Sequence, residues 1–409
     1  MFKIIAIVLL SLSFLFNLFL GIRSYLARKN PMPEEVKDVY DEERYLKWKQ
    51  YSAEKIKTNI IVSSITFLVT LGLIISDVFA FITKDITNHY LTMLIVLGIY
   101  LGVSMLIDFI SSYYETMKIE AKYGFNKATF KTFISDFIKK FFITVILFIG
   151  LTSLFILIYE AIGDYILIAF SGILVLIIVG VMFLYPVLSK VFNKFQSLEE
   201  GELRTKLIAL LEKNGYKVKD IKVMDASRRT TKSNAYFSGF GKTKTIVLYD
   251  NILNVMSEEE IIAVFAHEMG HGLHKDTIKN TFISFSTIII VVVLAWLMVK
   301  FPTIYSDFGF NDINYGFAVI LLFECVLVIV SLLMNLLSMH MSRRAEYRAD
   351  EQAFKEGYGE QLVLALKKLY KEDLGDLNPD PLVVILSYSH PTLAQRIRHI
   401  NELESRKSN

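Results

Sequence analysis

Cysteine is almost absent from this sequence. The 409 residues include one, Cys325, which lies inside an apolar run with no histidine or other base near it in sequence. The formal net charge is also small, +3, and no basic stretch carries interleaved aromatic residues. A disulfide within the chain is therefore impossible, and these absences argue against a catalytic thiol and against a nucleic-acid partner.

Apolar residues are what the sequence has in excess. They make up 53% of the chain, and the mean hydropathy is +0.44, above that of ordinary soluble domains. Seven apolar runs approach or exceed the length of about 20 residues that a bilayer-spanning helix needs. They are residues 4–20, 60–82, 90–110, 141–159, 165–188, 282–301 and 315–339. We predict an α-helical integral membrane protein with seven transmembrane helices in a lipid bilayer.

The charge of the connecting segments predicts the orientation. Residues 23–57 carry nine Lys or Arg and residues 115–140 carry six, whereas 83–89 carries one and 160–164 and 302–314 carry none. Positively charged loops stay in the cytoplasm. The N-terminus is therefore expected outside, and the C-terminus in the cytoplasm.

Four parts follow from this arrangement. Residues 1–188 hold the first five spans with their cytoplasmic loops, and 280–340 hold the last two. Residues 189–279 form a soluble insert with helical spacing at 199–214, strand-like alternation at 220–224 and 245–249, and turn signals at Gly239 and Gly241. Residues 341–409 form a cytoplasmic C-terminal part. We expect a small α+β domain whose sheet edge can hold an extended substrate.

The sequence His-Glu-x-x-His at 267–271 carries the clearest chemistry. Ser257 and Glu260 match a capping box, so a helix should start just before it. On that helix His267 and His271 project from one face and can bind Zn²⁺. Glu268 lies beside the metal and can take a proton from water as a general base. The apolar neighbours predict burial, where unpartnered polar groups would be costly, rather than a solvated polar face.

A third metal ligand must come from elsewhere in the chain. The position that holds a third histidine in long zincins is Thr277, and His274 lies on a neighbouring face, outside the expected ligand set. Glu346 and Asp350 are four residues apart, on a helix that no Pro or Gly separates from the seventh span. Glu346 is the expected third ligand, and Asp350 can hold the free nitrogen of a ligand imidazole.

Spacing alone leaves two alternatives for this helix. Glu346 and Asp350 could form a solvated face paired with Arg343 and Arg348. His340 is a rival third ligand, although it lies on another face of the helix.

Three acidic residues lie within predicted spans: Asp77, Asp108 and Glu324. Charged groups inside a membrane are costly and usually face the interior of the helix bundle. These acids either line a water-filled cavity or make local buried hydrogen bonds, and the sequence leaves both interpretations open.

Five segments, taken together and in order, resemble the type I CAAX prenyl proteases, membrane zinc endopeptidases that mature prenylated proteins. They are NAYFSGF at 234–240, KTIVLYD at 244–250, AHEMGH at 266–271, RAEYRAD at 344–350 and SHPTL at 389–393. The resemblance implies a seven-helix barrel around a water-filled chamber, with the zinc site at its cytoplasmic end.

The resemblance also implies a role for eight residues. They are the zinc ligands His267, His271 and Glu346, the general base Glu268, the ligand-supporting acid Asp350, the substrate-strand residue Asn234, and the pair that steadies the substrate and the oxyanion, His390 and Arg396. We expect one Zn²⁺ per chain, a monomer, and a peptide or protein substrate, possibly lipidated.

Two other functions stay open at this point. One is a four-span zinc protease of membrane quality control, and the other is a transporter or receptor with structural zinc. The C-terminal residues 405–409 contain no endoplasmic-reticulum retrieval signal. The expected location is the cell membrane in a prokaryote, or the endoplasmic-reticulum membrane in a eukaryote.

Overall fold

Seven α-helices precede residue 189, the predicted start of the soluble insert. The structure, a computed structural model, describes residues 1–191, 193–238 and 243–408. The first helices are α1 (Phe2–Ala27), α2 (Glu42–Ile75), α3 (Val78–Thr83), α4 (His89–Tyr113), α5 (Ala121–Tyr123), α6 (Phe130–Ile162) and α7 (Ile166–Leu188). A π-helical segment, Tyr114–Glu120, joins α4 to α5.

Six helical stretches in the described part of the chain are long and apolar enough to cross a membrane. The longest, Phe130–Met182, contains both α6 and most of α7, which are separated at Gly163 with φ +57°. The count of seven spans therefore stays a prediction. One predicted boundary is wrong, because α2 ends at Ile75 and Asp77, at φ +53°, turns the chain into α3.

The soluble insert contains a four-stranded sheet and one long helix before the metal-binding motif. The elements are β1 (Phe195–Ser197), α8 (Glu202–Lys213), β2 (Lys217–Met224), β3 (Ala235–Ser238) and β4 (Thr243–Tyr249), and the strand order is β1-β2-β4-β3. The predicted helix and both predicted strands are confirmed as α8, β2 and β4.

Strand β3 provides the predicted sheet edge. It pairs antiparallel with β4, and with no other strand among the described residues. The predicted turn residues Gly239 and Gly241, and Phe240 between them, lie outside the described residues.

Helix α10 (Glu258–Leu273), after the short α9 (Ile252–Val255), starts at the predicted capping box. Ser257 Oγ accepts from the Glu260 backbone N–H at 3.3 Å, and Glu260 Oε2 accepts from the Ser257 N–H at 2.8 Å. After α10, Lys275 adopts φ +55° and turns the chain into α11 (Asp276–Lys300), most of which is a candidate membrane span.

A single helical path leads from the last membrane span to the second half of the site. After α12 (Thr303–Ser306) come α13 (Tyr315–Leu321), a π-helical segment (Leu322–Val326) and α14 (Leu327–Lys355), without interruption. The absence of Pro and Gly predicted this continuity. The chain ends with α15 (Gly359–Asp373), α16 (Pro381–Ser387) and α17 (Leu393–Ser408).

One hydrophobic core cluster joins the predicted soluble parts to residues of the segment between α1 and α2. Val36, Val39 and Tyr40 are buried in one cluster with residues of α8, α10, α15 and α17. The Tyr40 hydroxyl donates to the backbone oxygens of Tyr370 at 2.9 Å and Gly375 at 2.7 Å. Residues from both sides of the predicted boundary at residue 188 thus pack in one core.

Each of the three acids predicted within spans has a side-chain partner. Asp77 pairs with Lys3 at 2.6 Å, and Asp108 pairs with Lys140 at 2.7 Å. The Tyr100 hydroxyl donates to Glu324. Asp108 also accepts from the Ser112 hydroxyl at 3.2 Å. All three acids thus have polar side-chain partners, mainly Lys and Tyr.

Candidate active site

Two helices, α10 and α14, pack closely enough to bring the predicted metal ligands together. His267 and His271 lie on α10, and Glu346 lies on α14. The helices approach at Gly270, where an added Cβ would lie 2.7 Å from the Cα of Ala349. A glycine at this position is therefore a condition for the site geometry.

The ligand atoms have the spacing that a tetrahedral metal requires. Nε2 of His267 lies 3.4 Å from Oε2 of Glu346, and Nε2 of His271 lies 3.3 Å from Oε1. Atoms bound tetrahedrally at ~2.0–2.1 Å from zinc are separated by about 3.3 Å. Oε2 of Glu346 is buried and makes no hydrogen bond within the described residues. These three residues therefore fit a zinc ion.

Burial argues against a solvated face on α14. Glu346 and Asp350 are 4% and 0% exposed. Arg343 donates to backbone oxygens near α16, and Arg348 pairs with a carboxylate on α11. His340 is exposed, and it belongs to no possible metal-binding group in the part of the chain that was searched.

Asp350 lies behind His267. Its Oδ1 is 2.8 Å from Nδ1 of His267, so the other ring nitrogen faces Glu346. Arg396 holds the same carboxylate with Nε at 2.9 Å and Nη2 at 2.5 Å. Such carboxylates fix the orientation of a ligand imidazole.

Asp276 occupies the equivalent place behind His271, and sequence reasoning missed it. Its Oδ2 lies 3.3 Å from Nδ1 of His271, and its Oδ1 accepts from Arg348 at 2.7 Å and from Lys279 at 3.3 Å. The sequence signal that could have found Asp276 is an acid five residues after the motif, at the start of a helix that leads into a predicted span. His274 is partly buried and does not join the metal-binding group.

His390 and Arg396 reach the ligand cluster from the C-terminal part. Nε2 of His390 lies 3.3 Å from Oε1 of Glu346, and Nδ1 is hydrogen-bonded with Ser389 Oγ at 2.8 Å. Arg396 is buried, and its Nη1 lies 3.5 Å from Oε2 of Glu346. The side chain of His390 is 59% exposed, whereas that of Arg396 is 7% exposed.

A cavity of about 150 Å³ joins the site to the sheet edge. Its polar lining contains six of the eight predicted site residues: Asn234, His267, Glu268, Glu346, His390 and Arg396. Its remaining walls are apolar and are formed by Ala235, Ile252, Val264, Leu362, Leu366 and Leu369. A larger groove of about 570 Å³ among the membrane helices has no titratable side chain in its lining and is not a candidate active site.

Two of the pKa shifts at the site bear directly on its chemistry. Burial and the charge of Arg396 favour the neutral imidazole of His267. The neighbouring carboxylates of Asp350 and Glu346 outweigh both effects and raise the pKa of His267 to about 9. A metal must therefore displace a proton here, so metal binding should weaken as the pH falls. Burial also raises the pKa of Glu268, which makes this carboxylate a better base.

Known proteins and family models match nearly the whole length of the chain. Residues 22–194 match the family model described as the CAAX prenyl protease N-terminal region, five membrane helices, and residues 197–404 match peptidase family M48. The chain is 32% identical over 416 residues to the CAAX prenyl protease 1 homolog of Oryza sativa subsp. japonica, covering 97% of each. It is 31% identical over 427 residues to CAAX prenyl protease 1 of Saccharomyces cerevisiae, covering 97% of this chain and 94% of the relative.

A solved structure agrees with the sequence relatives. The crystal structure of S. mikatae Ste24p matches with a TM-score of 0.90 at 29% identity, covering 98% of this chain and 99% of that chain. The five membrane helices described for residues 22–194 already exceed the four spans of the quality-control alternative. Peptidases of family M48 are in general zinc-dependent, in agreement with the His267, His271 and Glu346 group. The chain is a multi-pass membrane metalloendopeptidase, and it belongs to peptidase family M48.

Proposed function

We propose that this peptidase hydrolyses a peptide bond near the C-terminus of CAAX-type, prenylated or otherwise membrane-associated proteins. The observation that carries the proposal is one cavity that Glu268, two metal-ligating side chains and the start of an edge strand line together. The helices that bear the ligands are continuous with, or directly precede, membrane spans. A substrate held at the membrane surface is therefore close to the cleavage site.

One Zn²⁺ per chain would be held by His267, His271 and Glu346. When bound, zinc supplies Lewis acidity that polarises the scissile carbonyl and lowers the pKa of water from ~15.7 towards ~7. The cavity beside the three ligands leaves a side open to substrate and water.

Glu268 acts as the general base of this reaction. It follows the first ligand on α10, and it lines the cavity without belonging to the ligand group. Its carboxylate takes a proton from the attacking water and returns it to the leaving amine. A transporter or receptor with structural zinc has no use for such a carboxylate beside an open metal position.

His390 is the side chain that donates to the oxyanion. The hydrogen bond with Ser389 Oγ, if it is donated to Nδ1, leaves the proton on Nε2, which points towards the cavity side of Glu346. A donor aimed at the developing oxyanion typically contributes about 10²–10³ in rate. Arg396 adds positive charge near the oxyanion, and the Asp350 carboxylate holds its guanidinium in place.

Asn234 holds the substrate strand. It is exposed, lines the cavity and directly precedes β3, the edge strand. Its backbone oxygen accepts from Tyr249 at 2.9 Å, which fixes it to β4. An extended peptide added to this edge would lie across the ligand cluster.

The membrane part forms a seven-helix barrel around a water-filled chamber, and the protein acts as a monomer. The zinc site and both flanking soluble parts face the cytoplasm, and the N-terminus lies outside. This orientation rests on the Lys and Arg excess of residues 23–57 and 115–140. The membrane is the cell membrane in a prokaryote or the endoplasmic reticulum in a eukaryote.

Cysteine labelling tests the orientation. Thr87 lies exposed in the link between α3 and α4, and Glu212 lies exposed on α8. We expect an impermeant thiol reagent to label Thr87→Cys, but not Glu212→Cys, in intact bacterial cells that carry the protein in the cell membrane. The Cys325→Ser background alone serves as the unlabelled control. The opposite pattern would overturn the cytoplasmic placement.

A cleavage assay tests the substrate class. Two peptides of identical CAAX-type sequence, one prenylated and one not, are incubated with the zinc-loaded protein, and the products are identified by mass. We expect cleavage near the C-terminus of the prenylated peptide, with the Glu268→Gln protein as the inactive control. No cleavage of either peptide by the zinc-loaded protein would contradict the substrate class, and equal cleavage would show that the prenyl group is not required.

A further inference from the structure

A buried carboxylate contacts Nδ1 of each histidine ligand. The sequence predicted one of the two, Asp350, but not the other. Asp276 is 6% exposed and contacts Nδ1 of His271. We propose that Asp276 is a positioning residue for the metal ligand His271, and that Arg348 holds Asp276 in place. This inference rests on the proposed zinc site.

The backbone around Asp276 directs it at the ligand. Lys275 adopts φ +55°, an uncommon conformation for a residue other than glycine, and so ends α10 and starts α11 within two residues. Asp276 is the first residue of α11, and its side chain reaches back to α10. An acid at a helix N-terminus is favourable anywhere, but that preference does not explain a contact with an imidazole of the preceding helix.

Arg348 adds the second observation. It lies on α14 between Glu346 and Asp350, and its Nη2 donates to Asp276 at 2.7 Å. The helix that carries the third ligand therefore also fixes the acid behind the second ligand. Through this contact, the start of the membrane helix α11 is tied to both helices of the site.

The contact determines which ring nitrogen of His271 carries the proton. A proton on Nδ1 of His271 donated to Asp276 leaves Nε2 unprotonated and directed at Oε1 of Glu346, 3.3 Å away. The side chain of His271 is 24% exposed, whereas that of His267 is 8% exposed. His271 has less packing to fix its ring, so the carboxylate matters more for its orientation.

The test is a measurement of zinc affinity by competition with a chelator, on full-length protein, with melting temperature recorded on the same samples. Asp276→Ala should weaken zinc binding by about 10–100-fold, the usual effect of removing such a partner. Asp276→Asn should give a smaller loss, because the amide oxygen still accepts the hydrogen bond but carries no charge.

Asp136→Ala is the matched control. Asp136 accepts from Arg229 at 3.0 Å near the start of the membrane helix α6, so it makes the same kind of ion pair without a histidine. This variant should bind zinc like the wild type, even if it melts at a lower temperature.

Wild-type zinc affinity in both Asp276 variants would overturn the inference, as would an equal loss of affinity in Asp136→Ala. If Asp276→Ala does not fold, the near-isosteric Asp276→Asn protein alone decides the question. A wild-type protein that binds no zinc would contradict the proposed function instead, so the two failures are distinguishable.

Discussion

The Glu346→Ala protein is expected to lose its zinc and, with it, its peptidase activity. Of the three grouped ligands among the described residues, Glu346 is the one that does not lie on α10, and its buried Oε2 makes no hydrogen bond there. Two imidazoles four residues apart cannot by themselves complete a catalytic zinc site, which takes three protein ligands. Metal analysis of purified protein should find about one zinc per wild-type chain and almost none in the variant.

The neighbouring acid Glu351 provides the control. It lies on the same helix, five residues on, and pairs with His399 at 3.4 Å rather than with the ligands. Glu351→Ala should keep its zinc. Glu346→Gln, which preserves the shape of the side chain, separates the loss of a ligand from the loss of packing. Full zinc content in both Glu346 variants would refute the assignment of the third ligand.

Local sequence signals predicted both helices of the site. The capping box at Ser257 marked the start of α10, and helical spacing placed His267 and His271 on one face. An unbroken helical sequence after the last predicted span carried Glu346 to the same place. These features depend on helix periodicity and capping, which act over a few residues and can therefore be predicted from sequence.

Two turns that the sequence did not predict have no glycine at the residue with positive φ. Asp77 and Lys275 both adopt positive φ without being glycine or asparagine. The contact of Asp276 with His271 depends on the second of these turns. Packing of the surrounding helices must maintain such conformations. A glycine in the sequence therefore does not mark them.

The contribution of the segment between α1 and α2 could not be predicted for a different reason. Val36 and Tyr40 complete the core of a part that starts about 150 residues later in the chain. Its Lys and Arg content predicts the side of the membrane on which this segment lies, but only the folded structure shows what it packs against. The segment also pairs with α17, through Glu35 and Arg398 at 2.8 Å, so the first membrane helix is tied to the C-terminal part.

Replacing Glu268 with glutamine should show whether this side chain transfers a proton or only stabilises the fold. Glutamine keeps the size and hydrogen bonding of the side chain but cannot take up a proton. Glu268 lines the cavity beside His267 and Glu346, and it is not one of the three grouped ligands. The variant should therefore fold, keep its zinc and still bind substrate.

The expected loss lies in turnover. General-base catalysis contributes about 10²–10⁴-fold, so kcat of Glu268→Gln should fall by at least that order. The control is Glu258→Gln, an exposed acid in the first turn of the same helix, which should leave kcat unchanged. Zinc content, melting temperature and hydrolysis rate are measured on one preparation of each protein. If Glu268 were only a buried structural acid, its variant would melt earlier yet hydrolyse peptide at a near-normal rate. A zinc-loaded Glu268→Gln protein with wild-type kcat would show that another group removes the proton from water.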